Sequence, residues 1–416
     1  MTAVAIFGDG LLDPATGEAT GSAVVVVEDG RVKAAGPRDG ISVPADATRV
    51  DAEGLTLLPG LIDCHVHLRS KGNGRDLTEW LGTPPSLWVL QTVPAARLAL
   101  EAGFTTVRDA GGAPNGVRLA IERGIMPGPR TLLAVTSLSQ TGGHTDLHFA
   151  CGADIGIKLP DVPDTIVDGV EPMRQRVREV IRAGADWIKL CTSGGVLSPS
   201  DSPMHATLTL DEIRAACEEA AAQGRQVMAH AQATEGIKNA LRGGVATIEH
   251  GIWLDDDCCE MMLDGKRALV ATLIAPLWVL RHAEAGRMPE WATVKARAAV
   301  EDHKRSFQRA LEAGVTIAFG TDTGVGPHGS MGEEFLVMHE LGMEPLQCIQ
   351  SATTVAARTI GYPGVGSLQP GDWGDLIGVP GDPLANLELV ARPDHVQLVV
   401  KGGAVFKDSR NERRSL

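Results

Sequence analysis

Short apolar segments of strand character alternate with helix-like stretches from about residue 59 to residue 361, and this alternation limits the fold more than any other feature. A strand followed by a helix and another strand pairs its strands in parallel, because the helix carries the chain back to the same end of the sheet. Eight strands are expected, at residues 60–68, 105–110, 130–135, 186–192, 226–231, 246–251, 269–274 and 316–322. Among the intervening helices, residues 210–223 place Ile213, Ala216, Cys217 and Ala220 at helical spacing before a stop at Gly224. Eight strand and helix units over this length fit an α/β fold of the TIM (β/α)8 barrel type.

The chain ends read differently. Residues 1–58 contain alternating runs such as Ala23-Val24-Val25-Val26-Val27-Glu28, followed by the hairpin signal Asp29-Gly30. Residues 362–416 repeat that all-β texture, with apolar runs around Leu376 to Val379 and Val396 to Val400. Neither end has enough strands for a stable sheet alone, so the two are expected to pair as one small β-sandwich beside the central barrel at 59–361.

A chain of 416 residues with 44% hydrophobic and 22% charged residues reads as globular. A net charge of -14, with no cluster of Lys and Arg, argues against a nucleic-acid partner. No apolar stretch approaches the roughly 18 residues of a membrane span, and the N-terminus lacks the pattern of a secretory signal. No membrane association and a cytoplasmic location are therefore expected. Seven cysteines without framework spacing, two of them adjacent, point to reduced thiols.

The first barrel strand ends in His65-Val66-His67. Side chains two apart on a strand share a face, so both imidazoles can converge on one metal ion. Lys189, His230, His250 and Asp322 each lie near the end of a later expected strand. In a parallel barrel, chemistry gathers at those carboxyl ends.

With these residues placed, the chain resembles the amidohydrolase superfamily, in the imidazolonepropionase-like branch that includes metal-dependent prolidases and Xaa-Arg/Lys carboxypeptidases. The resemblance rests on Leu58-Pro59-Gly60-Leu61-Ile62-Asp63 before the histidine pair, Thr105-Thr106-Val107-Arg108-Asp109, Ser139-Gln140-Thr141-Gly142-Gly143-His144, Lys189 before Ser193-Gly194-Gly195-Val196, Ala229-His230-Ala231, Ile248-Glu249-His250-Gly251 and Phe319-Gly320-Thr321-Asp322. It implies a binuclear metal-dependent hydrolase of carbon–nitrogen bonds, a small-molecule amide substrate and a homo-oligomer. It also implies that His65, His67 and Asp322 hold one divalent ion and His230 and His250 another, with zinc the leading choice and manganese, cobalt or iron alternatives. An ammonium has no lone pair for a metal, so Lys189 would join the two ions as a carbamate, together with a bridging hydroxide. Asp322 would be the acid/base that takes a proton from that hydroxide and delivers it to the departing amine.

His144 follows two glycines after the third strand; in the family the matching histidine contacts substrate, so His144 is a candidate both for binding substrate and for polarising its carbonyl. Trp253 and Trp278 follow strands 6 and 7 and are candidates for an apolar substrate wall with Ile274 and Leu277, while His328 stands in a Gly-rich loop beyond Asp322. Residues 69–88 are rich in Gly and Pro and are a candidate lid. Gln232 stands where several peptidase relatives carry a Tyr that helps bind the substrate carboxylate, which keeps dipeptides, N-acyl amino acids, xenobiotic amides, carbamates, thiocarbamates and phenylureas all open as substrates. Two further readings stand beside the first: a mononuclear cyclic-amide hydrolase or deaminase, and an inactive oligomeric scaffold. Lys189 speaks against the mononuclear one, and the full set of six ligands against the scaffold.

Overall fold

The computed structural model describes residues 3–74, 77–149, 151–156 and 158–410. The chain opens with four strands, β1 (Val4–Asp13), β2 (Glu18–Glu28), β3 (Arg31–Pro37) and β4 (Thr48–Pro59). The β2–β3 connection is the expected hairpin, with positive φ at both Asp29 (52°) and Gly30 (79°), as a type I′ turn requires.

After Gly60 come the parallel strands: β5 (Leu61–Val66), β6 (Phe104–Asp109), β7 (Arg130–Leu133), β8 (Ser137–Leu138), β9 (Trp187–Cys191), β10 (Gln226–Ala231), β11 (Thr247–His250), β12 (Ala268–Val270) and β13 (Thr316–Ile317). They form a three-stranded sheet, β5-β6-β7, and a six-stranded sheet, β13-β12-β11-β10-β9-β8. Backbone hydrogen bonds cross both seams between these sheets. Cys64 N donates to Phe319 O (2.9 Å) and Asp322 N to His65 O (2.8 Å) on one side, and Asp186 N donates to Leu133 O (2.7 Å) on the other. Every residue of β5, β6 and β9 is buried, as in parallel strands covered on both faces.

The eight expected strands are all present: the fifth has the expected bounds, the second is shifted by one residue, and the others are shorter. The third ends at Leu133 and is followed by a short strand, β8, that was not expected, and the eighth is regular only over Thr316–Ile317. The seventh ends at Val270, and Ile274 instead begins a helix, Ile274–Glu284. Glu334 explains that stop, because its carboxylate accepts from Leu273 N (2.8 Å) and Ile274 N (2.9 Å), the free amides of the helix start. The helix expected at 210–223 is Leu210–Ala222, opened by a capping box between Thr209 and Glu212. The lid candidate at 69–88 contains two short helices, Leu77–Gly82 and Pro85–Leu90, while its residues 75–76 lie outside the described residues. Among the described residues no helix is long and apolar enough to cross a membrane.

The chain closes with β14 (Leu376–Pro380), β15 (Leu398–Lys401) and β16 (Ala404–Asp408). The two ends do pair, but in one seven-stranded sheet of order β16-β15-β14-β4-β1-β2-β3 where two sheets were expected. The reason is the long strand β4, which pairs in parallel with β1 and antiparallel with β14 and so joins both ends in one ladder. This sheet is tied to the parallel strands by Arg130 at the start of β7. Its guanidinium donates two hydrogen bonds to Asp375 (2.7 and 3.0 Å) and lies 3.6 Å from the Trp373 ring centre.

Arg130→Met should lower stability by about 3 kcal/mol, because it leaves the buried Asp375 carboxylate without its cation. The double variant Arg130→Met/Asp375→Asn should recover part of that loss. Thermal unfolding of the two variants side by side checks the order.

Candidate metal and substrate site

The residues expected as metal ligands converge. The His65 ring centre is 5.4 Å from that of His67 and 5.1 Å from that of His250, which is 4.8 Å from that of His230. Each imidazole has one nitrogen engaged by an outer partner. His65 Nδ1 donates to Glu249 Oε2 (2.6 Å), His67 Nδ1 to Gly111 O (2.8 Å) and His230 Nε2 to Gly194 O (3.0 Å), while His250 Nδ1 lies 2.7 Å from Thr272 Oγ1. His65 and His230 are thereby left with a lone pair on the second nitrogen, while His67 Nε2 faces the Asp322 carboxylate, and such outer contacts are what fix the orientation of metal-ligating histidines.

Asp322 Oδ1 lies 3.5 Å from His65 Nε2 and 3.2 Å from His67 Nε2. Ligand atoms of His65, His250 and Asp322 fall within 4.8 Å of one another. This compact triad combines residues expected on two different ions. Lys189 Nζ is 3.5 Å from His65 Nε2, and among the described residues no carboxylate stands within 4 Å of it. Burial pushes the Lys189 pKa below the ordinary lysine value. Burial and the Lys189 charge hold His65 down at about 4, and burial takes His230 and His250 well below the usual histidine range. Burial alone would raise the Asp322 carboxyl, but its hydrogen bond with His67 and the neighbouring cations bring it below the usual carboxylate value. His67 differs: burial would lower its pKa, but its hydrogen bond with Asp322 raises it above the usual histidine value. Imidazoles of His65, His230 and His250 shifted towards the neutral form, an ionised carboxylate and a lysine shifted towards its neutral amine suit divalent zinc, manganese, cobalt or iron.

Strand alternation alone would not build this cluster. Glu249 and His250 are adjacent and yet both reach His65, which opposite faces of a strand forbid. The positive φ of His250 (72°) turns the chain at the end of β11 and swings the second ring inward. Asp322 (56°), Thr272 (55°) and Val135 (65°) hold the same left-handed conformation beyond other strand ends. Such residues cost about 1–3 kcal/mol each and cluster at functional sites.

Two cavities open on the cluster. The inner one, about 110 Å³, is lined by Lys189, His230, His250, Gln232 and Asp322. The outer one, about 840 Å³, shares His67, His144 and Asp322 with it and extends to Lys71, Gly74 and Glu79 of the lid candidate. His144 belongs to both: its ring stacks on His230 at 4.1 Å, and its Nδ1 lies 2.8 Å from Ser198 Oγ. A side chain at Gly195 would overlap that ring, so only glycine permits the stacking. Gln232 is buried on the inner wall, with an Oε1 that has no hydrogen-bond partner among the described residues.

Three substrate candidates are placed elsewhere. Trp253 donates from Nε1 to Asp302 (2.9 Å) and packs with Val196 and Ala299. Trp278 lies on the helix Ile274–Glu284, whose Ala275, Pro276 and Val279 line the inner cavity. Because the helix starts at Ile274, Trp278 is rotated off that face, against Gly326 and Arg281. His328 is buried with Nε2 donating to Ser70 O (2.8 Å), and it supports the turn after the histidine pair.

Sequence reasoning left four supporting residues without a role. Glu249 joins His65 to Arg108, whose NH2 donates to its Oε1 at 3.0 Å; burial opposes ionisation, yet Arg108 and His65 hold the carboxyl at about 2. Asp63 accepts from His65 N (2.9 Å) and Thr321 Oγ1 (2.6 Å) and so fixes β5 against the segment carrying Asp322. His303 reaches His250 O and Ala271 O. The available signal was charge inside apolar strand segments: Asp63, Arg108 and Glu249 each interrupt a buried run and need a partner. Glu249→Gln should weaken metal binding about 10- to 100-fold, by analogy with other outer partners of ligating histidines, and chelator competition measures it.

A model of the amidohydrolase family matches residues 56–405. The ochratoxinase of Aspergillus niger is 33% identical over 423 residues, covering 97% of this chain and 87% of that protein. An imidazolonepropionase of Streptomyces coelicolor is 27% identical over 397 residues, covering 92% and 88%. The crystal structure of a Xaa-Pro dipeptidase with methionine in its active site superposes with a TM-score of 0.87 at 29% identity, covering 98% of this chain and 100% of that one. The chain belongs to the amidohydrolase family, hydrolases that act on carbon–nitrogen bonds.

Proposed function

We propose that this protein is a binuclear metal-dependent amidohydrolase that cleaves the amide bond of a dipeptide, an N-acyl amino acid or a related xenobiotic amide. The observation that carries the reading is Lys189, a buried lysine without a carboxylate partner among the described residues, set among four histidines and Asp322. Burial favours its neutral amine, the form that adds carbon dioxide, and the resulting carbamate would offer two oxygens in place of an ammonium. His65, His67 and Asp322 would hold one cation, and His230 and His250 the other. When bound, the two cations would supply a water acidic enough to act as nucleophile near neutral pH and would polarise the scissile carbonyl. Asp322, held ionised, would take the proton from the attacking water and pass it to the leaving amine. His144 and Gln232, whose Oε1 has no partner among the described residues, would orient the substrate from the wall next to His230.

The seam hydrogen bonds support reading the two parallel sheets as arcs of one closed barrel over residues 59–361, flanked by a second unit built from 1–58 and 362–416. A mononuclear reading draws on the compact His65, His250 and Asp322 triad. Elemental analysis separates them: fully active protein should carry close to two metal ions per chain, and one would favour the alternative.

Lys189→Ala should lose bound metal and activity together, and short carboxylic acids should restore part of both by standing in for the carbamate. Full metal content and rate in that variant would remove the bridge. Asp322→Asn should keep metal yet lose at least about 100-fold in kcat, within the range for a positioned acid/base.

A further inference from the structure

The outer cavity carries charges of both signs, and most of them are already paired. Lys71 bonds Glu79. Lys158 and His148 share Asp154 (3.0 and 3.7 Å), and His148 also bonds Asp146 (2.6 Å). Asp164 is exposed at the rim, and Asp322 belongs to the metal cluster. The exception is Arg69, two residues past His67 on the same wall. Among the described residues its guanidinium donates no hydrogen bond, and no carboxylate lies within 4 Å of it.

The surroundings of Arg69 look built to hold a guanidinium open. Its Nε lies only 3.2 Å from where a Cβ on Gly112 would sit, so the missing side chain, at a positive φ of 110°, makes the space. The nearest acid, Asp109, is occupied: its carboxylate accepts from Leu68 N (2.8 Å), Gly111 N (3.0 Å) and Ala113 N (3.3 Å). Asp109 therefore offers Arg69 its charge from a distance and no hydrogen bond, so a half-buried guanidinium facing a cavity keeps N–H donors that an incoming anion can take. The rest of that wall includes Leu147, Leu159, Val162 and Ile166, which would suit an apolar group on the same ligand.

We infer that Arg69 anchors a free carboxylate of the substrate, so that among the amides left open the class is one bearing a carboxylate, an N-acyl amino acid or dipeptide with an apolar group. A planar guanidinium matches a carboxylate through two parallel hydrogen bonds, which fixes the amide as well as attracting it. The anchor would also supply what Gln232, an uncharged amide, does not. This inference rests on the amide-cleaving reading above.

The test compares N-acetyl derivatives of the common amino acids with their primary carboxamides, which keep the shape and lose the charge. Metal-loaded wild type should favour the free carboxylates by about 100-fold in kcat/KM, mainly through KM, and in Arg69→Met that ratio should collapse towards one. Arg69→Lys, which keeps a cation without the planar fork, should fall between and serves as the second variant if Arg69→Met does not fold. Metal content is measured throughout, since metal loss would depress both substrate sets and leave the ratio intact. A wild type indifferent to the carboxylate, or a ratio unchanged in the variants, overturns the inference. If wild type cleaves neither set, the amide reading fails, and calorimetric titration of the same compounds decides Arg69 alone: carboxylate-selective binding lost in the variants supports it, and equal binding overturns it.

Discussion

The carboxylate of Glu249, sealed between strands, is the constraint on which the site depends. It accepts from His65 at the end of β5, from Arg108 in β6 and from Thr247 in its own strand. Arg108 also donates to Cys64 O (2.7 Å), the backbone just before His65, and its guanidinium lies 4.4 Å from the Trp187 ring centre at the start of β9. One buried ion pair thus sets the backbone position, ring orientation and tautomer of His65 together. Such a pair contributes little net stability, since desolvation consumes most of its attraction, and its value here is positional. Without the arginine, burial would protonate the acid, and the imidazole would lose the partner that keeps its Nε2 lone pair facing the cavity.

The same economy of position appears in the backbone. Strand periodicity delivers His65 and His67, two apart, to one side, and it cannot deliver the adjacent Glu249 and His250. The chain resolves this with a left-handed residue at His250 and another at Asp322, each strained and each held by neighbours. His250 O accepts from His303, and Asp322 N donates to His65 O. The parallel strands therefore serve as a rigid frame, and the candidate ligands from β11 and the segment beyond β13 are placed by departures from that frame.

This division explains what was legible beforehand. The eight strands, the pairing of the two ends and the convergence of His65, His67, Lys189, His230, His250 and Asp322 follow from periodicity and from chemistry-bearing residues recurring at strand ends. Strand limits did not follow, because Val270 is the last strand residue through a tertiary cause, the Glu334 carboxylate that starts the next helix. Trp253 and Trp278 were misplaced for the same reason: an aromatic residue after a strand faces the cavity or its outer shell according to where the helix begins. Nor is a single seven-stranded sheet written into short alternating runs, since its unity depends on β4 pairing on both edges. Asp63, Arg108 and Glu249 were visible as charges in apolar runs, but which of them pair is a property of three dimensions.

The two cavities divide the labour between frame and loops. The inner one is walled by strand ends whose residues are fixed by buried partners, so its chemistry has little freedom to vary without dismantling β5, β10 and β11. The outer one is walled by the connections after β5, β6 and β8, where exposed ion pairs such as Lys158 with Asp154 are screened by solvent and can be exchanged at little cost. A frame of this kind separates the reaction, which tolerates little displacement, from recognition, which can change by one loop residue at a time. Arg69 sits two residues from His67 and yet lines the outer cavity, so on the reading proposed above a substrate group held there would leave its amide within reach of the inner one.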